Sequence, residues 1–144
     1  MDAPRNLPKK VHTTLGYAVF SRVTYQPLVH GPTESLFVYP TARLAKNAMK
    51  GDHTMTAEEV SVFQAILMLL IGTRMTFSKS AFNTLVRESE HLLTTIGVQM
   101  DWPACEKRWI TFRCETNDRD SLLNTLAPLM KHLNETQQKY LRNN

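Results

Sequence analysis

No apolar run in this chain exceeds seven residues, Ala65 to Ile71. A helix needs roughly 20 to cross a bilayer, so no spanning helix is expected. Met1 to Lys10 is polar and contains no apolar stretch of the kind a secretory signal requires, so the expectation is a reducing compartment, the cytoplasm. Glycine is scarce, at five residues in 144. The phosphate-cradling G-x-x-x-x-G-K, the dinucleotide G-x-G-x-x-G and the hydrolase G-x-S-x-G are all missing. The two cysteines, Cys105 and Cys114, lack C-x-x-C spacing and read as reduced, buried thiols rather than as zinc ligands. Five histidines (His12, His30, His53, His91, His132) are scattered, and none stands in an H-E-x-x-H pattern. Neither a metal nor a cofactor is expected. Ser89-Glu90-His91 and Asp52-His53 bring the residue types of acid-base chemistry together only in sequence, whereas catalysis needs them to meet in space, so the chain is not read as an enzyme.

What is present is an ordinary globular composition, 42% hydrophobic and 21% charged, at a length that supports one core. The net charge of +4 is unevenly spread. Residues 1–50 carry seven cations against Asp2 and Glu34, while residues 51–144 carry ten cations against eleven anions. All of the excess lies in the first third, as a surface facing a polyanion would require.

The expected organisation is a basic, flexible arm over residues 1–10, a single globular domain over 11–135 and a polar tail over 136–144 that frays. Val11, Thr13, Leu15, Tyr17, Val19, Val23 and Tyr25 follow a two-residue repeat and predict a long strand. Pro27, Gly31 and Pro32 then turn the chain, and Ser35 to Tyr39 predicts a second, shorter strand. Thr41 is placed to cap a helix with Leu44, Ala45, Ala48 and Met49 on one side, closed by Gly51. Thr56-Ala57-Glu58-Glu59 has the form of a capping box, predicting a helix from there to Ile71 that becomes apolar all round after Ala65 and forms the buried spine. Phe77 to Gly97 predicts a further helix, although Met75 to Phe77 also suits a strand. Val98 to Trp102 and Arg108 to Glu115 predict strands pairing with the first one, and Asn117 to Asp120 opens a final helix with Leu122, Leu123, Leu126, Leu129, Met130 and Leu133 inward, restarted at Pro128. The fold class is α+β: one domain with a small, mostly antiparallel sheet packed against an apolar helix and an amphipathic C-terminal helix.

One constellation has a direct physical use. At 100° per residue Arg43, Lys46 and Lys50 fall within about 60° of one another, opposite the apolar stripe. With Lys9 and Lys10 they make the candidate site for an anionic membrane or for phosphate, each near-surface cation contributing about 1 kcal/mol toward an anionic bilayer. Nucleic-acid phosphates attract the same side chains, so a small nucleic-acid-binding regulator is the alternative reading. A solvated helix face is the bland one. Trp102 and Trp109 bracket Pro103 and read as core residues or as interface anchors.

The order of elements, GYAVFSRVTY, SLFVY, VFQAILMLLIG and TFRCETNDRDSLLNTLAPLMKHLN, resembles that of rhabdovirus matrix proteins over residues 15–134. The shared pattern is an apolar helix early in the core and a strand running through an acidic turn into an amphipathic helix, here Thr111 to Leu133. The resemblance implies a structural protein of virion and host cytoplasm, peripheral on the inner membrane face, that self-associates, binds anionic membrane and condenses the nucleocapsid during assembly and budding. The chain lacks the P-P-x-Y and P-[ST]-A-P segments by which such proteins recruit budding machinery, and residues 79–96 are more helical than the family pattern implies.

Overall fold

The computed structural model describes residues 9–30, 34–114, 119–133 and 135–142, without the side chains of Lys9, Lys10, His30, Arg119, Leu122, Leu123, His132, Leu141 and Arg142. Residues 1–8 of the arm expected over 1–10, the turn at Asn117-Asp118 and the inward placement of Leu122 and Leu123 lie outside that description.

A 3₁₀ turn, Lys9–His12, leads into strand β1, Thr14–Ser21. Strand β1 is shorter than its two-residue repeat predicts and is covered on both faces: Ala18, Val19 and Phe20 are all buried. A bulge between Thr14 and Gly16 breaks the alternation. Val23 and Tyr25 fall beyond the strand, in a turn.

The largest departure concerns Met55–Ser61, which is strand β4 and not the first turns of a helix. It pairs antiparallel with β1 from Ser21↔Met55 to Thr14↔Ser61. Local helix propensity in T-A-E-E is worth a few tenths of a kcal/mol per residue and yields to a seven-residue ladder that satisfies a whole strand edge. Glu59, cast as the capping carboxylate, instead accepts from the Thr14 hydroxyl. The working box lies five residues on: the Ser61 hydroxyl accepts from Gln64 N at 3.3 Å and Ser61 N donates to Gln64 Oε1 at 2.7 Å. Helix α2, Val62–Leu70, follows with every residue buried except Gln64, which makes it the expected spine.

Strands β2 (Val29–His30), β3 (Ser35–Phe37), β5 (Met75–Ser78) and β6 (Trp109–Phe112) form a second sheet in the order β2-β3-β5-β6, with β3 and β5 parallel and the other pairs antiparallel. A chain of hydroxyls pins its register: Ser35 Oγ lies 2.7 Å from Thr76 Oγ1, which lies 2.8 Å from Thr111 Oγ1. Strand β6 therefore pairs with β5 and not with β1. Val98 to Trp102 is no strand, because Val98 N is spent on Leu93 O at 2.9 Å, closing helix α3 (Lys79–Ile96) beyond its left-handed cap Gly97. Trp102 instead packs on Phe82 and Phe112, with ring centroids 5.6 and 5.3 Å away, and Trp109 packs on Phe37 at 4.8 Å.

The two sheets meet where Tyr17 N donates to Tyr39 O at 2.8 Å and Tyr39 N donates to Tyr17 O at 2.7 Å. Glycine is required beside this junction. A Cβ on Gly16 would overlap the Tyr39 carbonyl oxygen and lie 2.8 Å from Val38 Cγ1.

Helix α1, Ala42–Ala48, packs on β1 and β4. Helix α4, Arg119–Leu126, runs into a 3₁₀ segment, Ala127–His132, with Pro128 in its first turn, as a restart at Pro128 requires. The segment expected to fray is helix α5, Glu135–Arg142. Contacts with the body of the fold hold it: Gln137 Nε2 donates to Glu59 O at 3.0 Å, the Tyr140 hydroxyl lies 2.6 Å from Thr73 Oγ1, the Tyr140 ring meets Phe20 edge-on at 5.9 Å, and Lys139 Nζ donates to the Tyr25 hydroxyl at 3.1 Å.

Two substitutions test this account. Ser61→Ala is expected to lower stability in urea denaturation by about 1 kcal/mol through loss of the cap, and an unchanged midpoint would place the helix start elsewhere. Gly16→Ala is expected to cost about 1–3 kcal/mol by overpacking against the Tyr39 carbonyl, where an open site would accept alanine without loss.

Candidate functional site

Helix α1 begins because the Thr41 hydroxyl accepts from Leu44 N at 3.2 Å, as its position before the apolar stripe predicts. Ala45 is the helix's buried contact with the β1–β4 pair. Arg43 and Lys46, three residues apart and on the opposite side, are exposed, and among the described residues neither is held in an ion pair. Leu44, assigned to the apolar stripe, is 45% exposed, because a seven-residue helix resting on Ala45 covers only a narrow strip.

Lys50 is exposed too, but the helical wheel does not set its direction. The helix ends at Ala48, and Lys50 and Gly51 follow Met49 with φ of 52° and 75°. Two left-handed residues swing the chain into a turn in which Asp52 Oδ1 accepts from Thr54 N at 2.9 Å and from the Thr54 hydroxyl at 2.7 Å. These two bonds, with His53 adding a smaller attraction, hold the Asp52 carboxyl below the usual aspartate range.

This turn abuts the one that ends β1. Arg22 N donates to Thr54 O at 2.7 Å, and Arg22 Nε donates to Met55 O at 3.1 Å. The turn that leaves β1 thus carries Arg22 and Val23, and the turn that enters β4 carries Lys50 and His53, all exposed. The part played by Arg22 was not legible from spacing, because it depends on a pairing with residues 32 or more positions away.

Lys9 and Lys10 enter at the other end. Their backbone precedes Thr14, whose partner is Ser61, whereas Lys50 lies near the Ser21↔Met55 end, about 23 Å along the strand at the rise of an extended chain. Arg43 and Lys46 thus stand on α1 and Lys50 in its exit turn, whose Thr54 carbonyl takes the Arg22 amide, while Lys9 and Lys10 precede the opposite end of the ladder.

The catalytic alternatives gain no geometry. Ser89 is buried with its hydroxyl turned to Val86 O, while Glu90 and His91 are exposed. A cavity of about 370 Å³ is lined by Gln99, Asp101, Phe112, Arg113 and Cys114, and one of about 290 Å³ by residues that include Glu106, Lys107 and Trp109. Among the described residues no histidine lines either cavity. Among the described residues no group of histidine, cysteine and carboxylate side chains could hold a metal ion, both cysteines are free, and no helix is long and apolar enough to cross a membrane.

Comparison with family models, with curated proteins and with solved structures finds no match to this chain.

The Asp52 turn gives a direct test of the local electrostatics. Because its pKa is depressed in the folded state, the turn's contribution is present above the ordinary aspartate range and is lost as pH falls through the depressed value. Thr54→Ala is expected to raise the Asp52 midpoint toward the ordinary range in a carboxyl ¹³C NMR titration. A midpoint that stays where it was would mean that the Thr54 hydroxyl does not hold the carboxylate.

Proposed function

We propose that the protein is a non-enzymatic assembly protein that docks on an anionic membrane surface through α1 and the turn that follows it, in the manner of a viral matrix protein. The observation that carries this reading is the exposed set Arg43, Lys46 and Lys50, which no carboxylate neutralises in an ion pair among the described residues. Cations held by a folded scaffold but free of intramolecular partners keep their full attraction for an anionic layer. The basic surplus of the first third supports the same reading, and Arg22 adds to it at the ladder's end. Self-association and condensation of a nucleocapsid complete the role implied by the resemblance to matrix proteins.

The test is co-sedimentation with vesicles of phosphatidylcholine and phosphatidylserine over a salt series. Reversal of charge at Arg43, Lys46 and Lys50 together is expected to weaken binding by more than about two orders of magnitude, since loss of each cation alone costs about 1 kcal/mol near such a surface and the new carboxylates repel it. The side chains are exposed, so circular dichroism should be unchanged. Undiminished vesicle binding by the reversed protein contradicts the proposal. Binding of the unaltered chain to duplex RNA in preference to vesicles would favour the nucleic-acid regulator instead.

A further inference from the structure

The described residues leave three large apolar side chains exposed: Val23 at 68%, Leu44 at 45% and Val29 at 41%. All three fall in the stretch from Arg22 to Lys50, which also supplies the exposed cations Arg22, Arg43, Lys46 and Lys50. Phosphate backbones attract the cations alone. An anionic bilayer takes up both, with headgroups against the charges and acyl chains against the aliphatic side chains.

From this we infer that the turn over residues 21–25 is a membrane wedge that seats Val23 below the headgroups of an anionic bilayer while Arg22 and Lys50 contact lipid phosphates. The inference rests on the membrane reading of the basic face and deepens it.

The turn is built for entry into a poorly hydrated layer, where an unpaired backbone amide is costly. Ser21 Oγ accepts from both Val23 N and Thr24 N at 3.1 Å, and Thr24 Oγ1 accepts from Gln26 N at 3.3 Å. Tyr25 N donates to Ser21 O at 3.0 Å, and Arg22 N is taken by Thr54 O. Every backbone N–H from Arg22 to Gln26 is thereby satisfied within the protein. The turn is also braced from behind. Tyr25, at φ 61°, lies under Lys139, whose Nζ sits 4.5 Å from the ring centroid and donates to the tyrosine hydroxyl at 3.1 Å. Of the carboxylates around the turn, Asp52 has one oxygen engaged by Thr54, and Glu135 is paired with Lys139 at 2.8 Å.

The experiment places an environment-sensitive nitrobenzoxadiazole label on Val23→Cys in the full chain, with Cys105→Ser removing the half-buried thiol and Cys114 protected by burial. On vesicles containing phosphatidylserine the label is expected to shift to the blue and brighten, and with duplex RNA it is expected to stay as in water. If the chain sediments with the vesicles but the label keeps its aqueous spectrum, the wedge is overturned and the electrostatic docking stands. If the chain does not sediment with them, the membrane reading and the wedge fall together. Val23→Ser, which changes only an exposed side chain, is expected to reduce vesicle affinity about tenfold and leave any RNA affinity unchanged. Equal loss toward both ligands would overturn the wedge.

Discussion

Seven residues of β4 lie antiparallel to β1, and the positions of α1, α2 and α5 follow from that ladder. It takes Met55–Ser61 away from helix and moves the start of α2 to Ser61. It presents the face on which Ala45 seats α1, and the Glu59 carbonyl that Gln137 of α5 grips. The reciprocal Tyr17–Tyr39 bonds then tie the ladder to the second sheet, at a point where only glycine fits at position 16. Without this pairing the segment from Thr41 to Ser61 would have no fixed place.

Elements governed by neighbours in sequence were legible. The buried run after Ala65, the helix closed by Gly97, the Thr41 cap and the restart at Pro128 depend on contacts within a few residues, and each stands where its pattern puts it. Elements governed by distant partners were not. The T-A-E-E box satisfied a local rule, yet its residues are claimed by a strand 40 positions earlier, while the equally local S-V-F-Q box after it was overlooked. Polarity suggested a fraying tail, but Gln137 and Tyr140 find partners 78 and 67 residues away and fold it into α5.

The candidate site divides in the same way. Arg43 and Lys46 sit on a regular helix, so the wheel predicts their exposure and shared side. Lys50 escapes the wheel because a left-handed backbone intervenes, and it reaches the site through the turn to Asp52 and Thr54 instead. Arg22 and Val23 were hidden inside what reads as a continuous strand. Only the end of the β1–β4 register reveals that they lie in an exposed turn.

The measurement that bears most directly on this account is amide chemical-shift mapping of the isotopically labelled chain against nanodiscs containing phosphatidylserine. The account expects the perturbed amides to cluster in residues 21–25 and 41–54, with the sheet around β6 unmoved. Perturbations centred on residues 98–113, or none at lipid concentrations where neutral nanodiscs also give none, would contradict it.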